Sequence, residues 1–263
     1  MALTRAKLRE LRTLGQKKAR IEQGKFLIEG LRMLQEAVES DAAIIEVVHT
    51  EAFGEDQAGK SLLHKLGTKT RNIVKVTARE LGAISDTEHA QGIVAVARQR
   101  LFTVESVLQG TNGTSVIVAL DAVSDPGNLG SMIRTCDWFG VHGILLGRNS
   151  VELHNPKVVR ATMGGLFHLS VVEDVDLLLA VSKAKALGYR VYVTDAGGET
   201  HFDRVQYAQR ALIIFGNEAW GVSDQLKQLA DERVAIRRYG AAESLNVGVA
   251  CGIVLSSLHR LFE

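Results

Sequence analysis

Short apolar runs alternate along this chain with stretches whose apolar residues recur at three- and four-residue spacing, the pattern of strands exchanging with helices. In the first hundred residues the runs are Phe26–Gly30, Ile44–His49, Ile73–Val76 and Ile93–Ala97. Helices are expected over Leu3–Leu14, from about Gly30 to Ser40, over Asp56–Leu66 and briefly at Ala78–Leu81, with Ser85–His89 as a loop. This half reads as a small α/β unit. From Arg98 to Thr114 the pattern lapses into a linker helix, Thr103–Gln109, and a turn cluster, Gly110-Thr111-Asn112-Gly113. A domain boundary belongs there, with 1–105 as the first domain, 106–114 as linker and 115–263 as the second.

The second half carries strands that are apolar throughout. They are Val116–Leu120, Gly143–Leu146, Leu169–Val172, Tyr189–Thr194, Ala211–Phe215 and Arg233–Ile236. Helices are expected over Leu129–Phe139, Lys157–Thr162, Val175–Leu187 and Ser223–Leu229, and in a final segment after Ser244. Continuous apolar strands alternating with helices imply a parallel sheet covered on both faces. In such sheets ligands bind beyond the carboxyl ends of the strands. No fixed-period repeat and no low-complexity tract interrupts the pattern.

Composition narrows the class. At 46% hydrophobic and 23% charged, the 263 residues suit a soluble globular protein of two domains or one large one. No apolar run approaches the ~18 residues of a membrane span, and MALTRAKLRE has no signal core. Cys136 and Cys251 sit in apolar helical patterns, so core thiols in a reducing, cytoplasmic compartment are expected. The net charge is only +1, yet Arg5 to Lys25 holds eight Lys or Arg against two Glu. That basic segment, 3–25, reads either as a phosphate contact or as a solvated helix face. None of the eight histidines has the paired spacing of a metal site, and no metal is expected.

Three strand ends carry candidate chemistry. In Asp125-Pro126-Gly127-Asn128-Leu129-Gly130, Pro and Gly make a tight turn, Asn128 is the expected helix cap, and Arg134 follows about a turn and a half later. Arg134 and Trp138 share a helix face. A guanidinium there suits a phosphate or a polynucleotide backbone; a glycine-rich turn with a surface Arg reads the same way. A dinucleotide loop would need a GxGxxG spacing that is absent. In Phe215-Gly216-Asn217-Glu218, Gly216 permits close backbone approach and Glu218 could orient an Arg or a ribose hydroxyl. In Glu243-Ser244-Leu245-Asn246-Val247, Ser244 is the expected cap of the last helix, which is either a ligand wall or an ordinary terminal helix. Trp138 and Trp220 could stack bases or pack at an interface.

Taken in order, Asn-x-Gly-x-x-x-Arg, Phe-Gly-Asn-Glu-x-x-Gly and Glu-Ser-Leu-Asn-Val resemble the three signature motifs of the SpoU family, TrmH-like RNA ribose 2′-O-methyltransferases of the SPOUT class. The resemblance spans roughly Val116 to Phe262 and includes Asn155–Val171, which is similar to a segment the family carries between its first two motifs. The N-terminal half resembles a small RNA-binding domain of ribosomal-protein type. The resemblance implies a catalytic domain with a deep C-terminal trefoil knot, S-adenosylmethionine as cofactor, RNA as substrate, and a homodimer through the catalytic domain. It implies adenosine lying against Phe215, Gly216, Ile236 and Leu245, near Thr194 and Ser244. It implies Arg134 as the catalytic Arg, Asn128 and Glu218 orienting it and the ribose, and Asn246 bracing the pocket. The chain departs from the family in two places. Arg237 and Arg238 stand where Pro often follows the strand before the third motif, and Gly248 replaces a frequent Ser. Two rival readings are a non-catalytic RNA-binding or assembly factor and a nicotinamide-dependent enzyme.

Overall fold

The computed structural model describes residues 3–87, 90–109 and 113–258. Part of the expected Ser85–His89 loop (88–89) and of the expected turn (110–112) lies outside them. The chain divides into two compact units. One is Met1–Arg100 with His154–Phe167, and the other is Leu101–Leu153 with His168–Glu263. The segment His154–Phe167, which lies in the second half of the sequence, therefore groups with the first unit.

The first unit runs α1 (Arg5–Thr13), α2 (Lys17–Gln23), β1 (Lys25–Glu29), α3 (Leu31–Glu39), β2 (Ile44–Thr50), α4 (Glu51–Glu55), α5 (Gln57–Lys69), β3 (Ile73–Val76), α6 (Ala78–Ile84) and β4 (Ile93–Arg98). Its sheet has the order β1-β4-β2-β3; β4 is antiparallel to both neighbours and β2 is parallel to β3. The inner position of β4 explains why Ile93 to Ala97 are all buried while β1 alternates. The expected basic helix is two helices. Thr4 caps α1, accepting from Lys7 N at 3.2 Å, and Leu11 and Leu14 enter a core with Val48, Leu81 and Val94. The chain then turns and α2 begins. Its Arg20 is buried, with Nη1 donating to Leu14 O at 2.9 Å, so one of the eight basic residues serves the fold.

The second unit runs α7 (Val104–Gln109), β5 (Ser115–Leu120), α8 (Pro126–Trp138) and β6 (Gly143–Gly147). The chain enters the first unit for α9 (Pro156–Ala161) and returns as β7 (Ser170–Val175), α10 (Leu177–Ala186), β8 (Arg190–Thr194), β9 (Thr200–His201), β10 (Arg210–Phe215), α11 (Asp224–Leu229), β11 (Glu232–Ala235) and α12 (Val247–Ser256). The sheet order is β7-β6-β5-β10-β8-β11-β9, and every neighbouring pair is parallel. β5 and β6 are buried at every residue, as strands covered on both faces must be. One face packs Ile117, Ala119 and Leu212 against Leu108 of α7, Val181 of α10 and Leu226 of α11.

Two helix starts differ from expectation. The helix expected from Leu129 begins at Pro126, because Pro suits a first turn whose N–H is unused and whose φ it already holds. The helix expected from Val175 begins at Leu177, because β7 continues to Val175 and Asp176 caps α10 by accepting from Leu179 N at 3.2 Å. The thiols of Cys136 and Cys251 are free and buried. They face each other between α8 and α12, where burial holds the Cys136 thiol well above its ordinary pKa. No helix among the described residues is long and apolar enough to cross a membrane.

Candidate active site

The carboxyl ends of β5, β10, β8 and β11 lie side by side in the parallel sheet. From β5 the chain passes through Ala122, whose φ of 57° is unusual for a residue with a Cβ. Its carbonyl is held by Asn217 Nδ2 at 2.7 Å, and Asp121 Oδ2 accepts from Ser223 N at 2.8 Å. The loop after β5 and the loop after β10 are thus tied to one another before any site residue is considered.

Glu218 completes the tie. Its Oε2 accepts from Ser124 N at 3.3 Å and Ser124 Oγ at 3.2 Å. Its Oε1 accepts from Asp125 N at 3.1 Å and from Asn128 Nδ2 at 3.0 Å. Asn128 Oδ1 in turn accepts from Asn246 Nδ2 at 2.9 Å, and Asn246 Oδ1 accepts from Gly248 N at 2.9 Å and Val249 N at 3.2 Å. One hydrogen-bonded chain, Glu218–Asn128–Asn246, therefore joins residues from all three motif stretches, separated by as much as 118 positions. A carboxylate and two amides suit this, since each amide can give and accept at once.

Both expected caps are displaced. Asp125, not Asn128, caps α8, accepting from Asn128 N at 2.7 Å. Asn246, not Ser244, caps α12; Ser244 sits in the exposed loop before it. Moving the cap to Asp125 places Asn128 inside the first turn and frees its amide to bridge. Sequence reading also missed Ser124 and Asn217. The signal for the first was Asp125-Pro126, a cap residue followed by Pro at the first helical position.

Arg134 projects from the exposed side of α8 and makes no hydrogen bond or ion pair among the described residues. It lies on the helix whose first turn holds Asn128, but no bond links it to the Glu218 chain. The other expected residues occupy neighbouring strand ends. Thr194 ends β8 with Oγ1 donating to Ile214 O at 3.0 Å. Buried Phe215 ends β10, and Ile236 follows β11. Gly216 follows Phe215 at a place where no Cβ fits, since one would lie 2.1 Å from Gly221 C and Val222 N. Leu245 is half exposed. The backbone N–H groups of 237–245 donate to no other backbone group among the described residues. Backbone amides without a backbone acceptor, in a loop that follows a strand end, are open to donate hydrogen bonds to a polar ligand. Across the α8–α12 packing, a Cβ on Gly248 would come 2.8 Å from Ser131 Oγ, so the missing side chain lets the two helices approach.

Burial pushes the Glu218 carboxyl up, but hydrogen bonds from Asn128 and from backbone N–H groups outweigh it and hold its pKa below the ordinary value of 4.5. A depressed carboxyl pKa stabilises the fold above the unfolded value, and the contribution is lost as pH falls through the folded one. Glu218→Gln is therefore expected to lower the unfolding free energy at pH 7 by about 1 kcal/mol, with the gap from the parent closing as pH falls from the ordinary 4.5 through the lower folded value. Urea titrations at pH 7 and across the acid range check this; a gap that persists in acid would mean the charge is not what matters.

Comparison with known proteins finds two family models on the chain. The SpoU rRNA Methylase family profile matches residues 115–256, and an MRM3-like substrate binding domain matches residues 5–95. The chain is 32% identical to the 23S rRNA (guanosine(2553)-2′-O)-methyltransferase RlmP of Bacillus subtilis, covering 96% of this chain and 95% of that one. It is 27% identical to a 23S rRNA (uridine(2479)-2′-O)-methyltransferase of Streptomyces viridochromogenes, over 92% and 85% of the two chains. Among solved structures it superposes on an AdoMet-bound rRNA methyltransferase from Sinorhizobium meliloti with a TM-score of 0.87 and 26% identity, covering 99% and 97%. The AdoMet complex of the SpoU methyltransferase AviRb from Streptomyces viridochromogenes gives 0.87 and 25%, covering 98% of each chain.

Proposed function

The chain belongs to the SpoU rRNA methylase family, and from that premise we propose that it transfers the methyl group of S-adenosylmethionine to a ribose 2′-hydroxyl of ribosomal RNA. The observation that carries the reading is the Glu218–Asn128–Asn246 chain, which joins the three motif stretches and holds the first turn of the helix that carries the exposed Arg134. When bound, S-adenosylmethionine supplies a methyl carbon already activated by its sulfonium. The protein then has to align the hydroxyl and stabilise the oxygen as its proton passes to solvent water. Arg134 does the second: its planar guanidinium stays charged and offers several donors to an alkoxide or a flanking phosphate. Glu218, Asn128 and Asn246 hold the first turn of α8 so that Arg134 is presented at a constant place. Phe215, Gly216, Ile236, Ser244 and Leu245, with Thr194 at the adjoining strand end, hold the adenosine.

The proposal extends to architecture. Residues 115–263 form the catalytic domain and 1–105 the RNA-binding domain, joined by 106–114. Exposed Arg5, Arg9, Arg12, Lys17 and Lys18 of α1 and α2 supply phosphate contacts. A trefoil knot is supported by α12, which follows β11 yet packs on α8, so the chain returns across the positions of β8 and β10. A homodimer is supported by the apolar exposure of Trp138 (84%) on α8 and Val249 (51%) on α12. We read the activity as cytoplasmic, and the ribosomal RNA substrate supports that reading. The test is incubation with methyl-labelled S-adenosylmethionine and unmodified transcripts of 23S ribosomal and transfer RNA, followed by digestion to nucleosides. Label in a 2′-O-methylnucleoside from the ribosomal transcript is expected, from a preparation whose light-scattering mass is that of two chains. Label in bases alone, or in no nucleoside, would refute the reaction; label only in transfer RNA would refute the substrate class.

A further inference from the structure

Two loops at the carboxyl edge of the parallel sheet hold large side chains in solvent, and Trp220, Arg237, Arg238 and Tyr239 have no part in the site described above. The first is the turn Asn217–Gly221. Asn217 N donates to Gly221 O at 3.0 Å, and Gly221 N to Asn217 O at 2.9 Å. Ala219 N donates to Asn217 Oδ1 at 2.8 Å. This braced turn points Glu218 at the start of α8 and, two residues on, leaves Trp220 67% exposed. The second loop, residues 237–246, is exposed at every position. Tyr239 is 87% exposed with Arg237 Cζ 5.8 Å from its ring centroid, and Arg238 Nη1 donates to Ala242 O at 3.4 Å. Among the described residues neither guanidinium meets a carboxylate, and the only acid from 236 to 246 is Glu243.

An exposed aromatic face beside unneutralised guanidinia matches one kind of surface well: a nucleic-acid strand, with its π faces and phosphates. Single-stranded loops and bulges present unstacked bases and open phosphates, which aromatic faces and guanidinia can hold. We infer that Trp220, Arg237, Arg238 and Tyr239 form the RNA-contacting rim of the active site, with bases flanking the target nucleotide stacked on the two rings and their phosphates held by the two guanidinia. The inference rests on the methyl-transfer reading above.

The test compares Trp220→Ala, Tyr239→Ala and the double variant Arg237→Gln/Arg238→Gln with the parent on the unmodified 23S transcript. Each aromatic variant is expected to raise the RNA KM about tenfold while calorimetric affinity for S-adenosylmethionine stays put. Trp220→Phe and Tyr239→Phe, which keep a stacking face, are expected to restore the KM. The double Gln variant is expected to flatten the salt dependence of RNA affinity by about two charges. An unchanged KM overturns the rim. So does cofactor affinity that falls in step with activity, or a Trp220→Ala protein whose mass drops to one chain, since those place the side chains in the cofactor pocket or an interface. If the parent transfers no methyl group to any transcript, the methyl-transfer reading fails instead, and gel-shift affinities of the same variants for the same transcripts still decide the rim.

Discussion

Arg134→Ala is expected to leave the fold untouched and to slow methyl transfer by about a hundredfold to a thousandfold, the usual range for removing a preorganised group that stabilises developing negative charge. The two halves of this expectation have separate grounds. Arg134 is exposed and contributes no hydrogen bond or ion pair among the described residues, so its removal is expected to change the unfolding free energy by less than about 0.5 kcal/mol. Its chemical role depends on a charge that stays in place while the hydroxyl loses its proton. Arg134→Lys keeps the charge but loses the planar fork, and is expected to recover only a small part of the rate. Single-turnover transfer on the unmodified 23S transcript, with cofactor affinity measured in parallel, separates the cases. A loss below about threefold at unchanged RNA occupancy would remove Arg134 from the chemistry.

The second large effect is expected at Gly216. A Cβ there would meet backbone, not a movable side chain: Gly221 C and Val222 N at 2.1 Å and Gly221 O at 2.3 Å. The turn must therefore open. Val222 is anchored in the core and Ser223 N is bonded to Asp121, so opening strains both neighbours and draws Glu218 away from Ser124 and Asn128. Gly216→Ala is expected to cost about 1–3 kcal/mol of stability and nearly all methyl transfer. Gly240→Ala is the control for stability: nothing lies within 4 Å of its Cβ position and its φ is ordinary, so its Tm is expected to match the parent. Equal Tm values for the two variants would show that the Gly216 turn yields easily and that its closeness is incidental.

These two residues also separate what could be read early from what could not. The strand character of Val116–Leu120 and Ala211–Phe215 was plain, because a strand buried on both faces must be apolar at every position and that is a local property. The three motif stretches were plain for the same reason: their glycines, amides and charges occur together in a short span. The caps were misplaced because cap choice is a competition. Asn128 and Asp125 both qualify by type, and Pro126 settled it for Asp125 by supplying a ready-made first turn. At the other helix Asn246 lies nearer the first buried position, Val247, than Ser244 does.

Neither strand order nor the grouping of His154–Phe167 could be read from periodicity. Arg160 illustrates the second. It donates to Asp86 at 3.0 Å and lies 3.8 Å from Glu29, which itself accepts from Ser85 and from Thr87 Oγ1, so partners more than seventy positions apart decide where α9 rests. The amino-acid sequence by itself determined the alternation of elements, the fully apolar strands and the chemical character of the three polar strand ends, because each depends on residues within about one turn or one strand of each other. Tertiary structure alone decided that β10 lies between β5 and β8, that α12 returns to α8, and that Glu218, Asn128 and Asn246 share one hydrogen-bonded chain. Those contacts join groups 90 and 118 residues apart, and only the packing of whole faces against one another brings such groups within bonding distance.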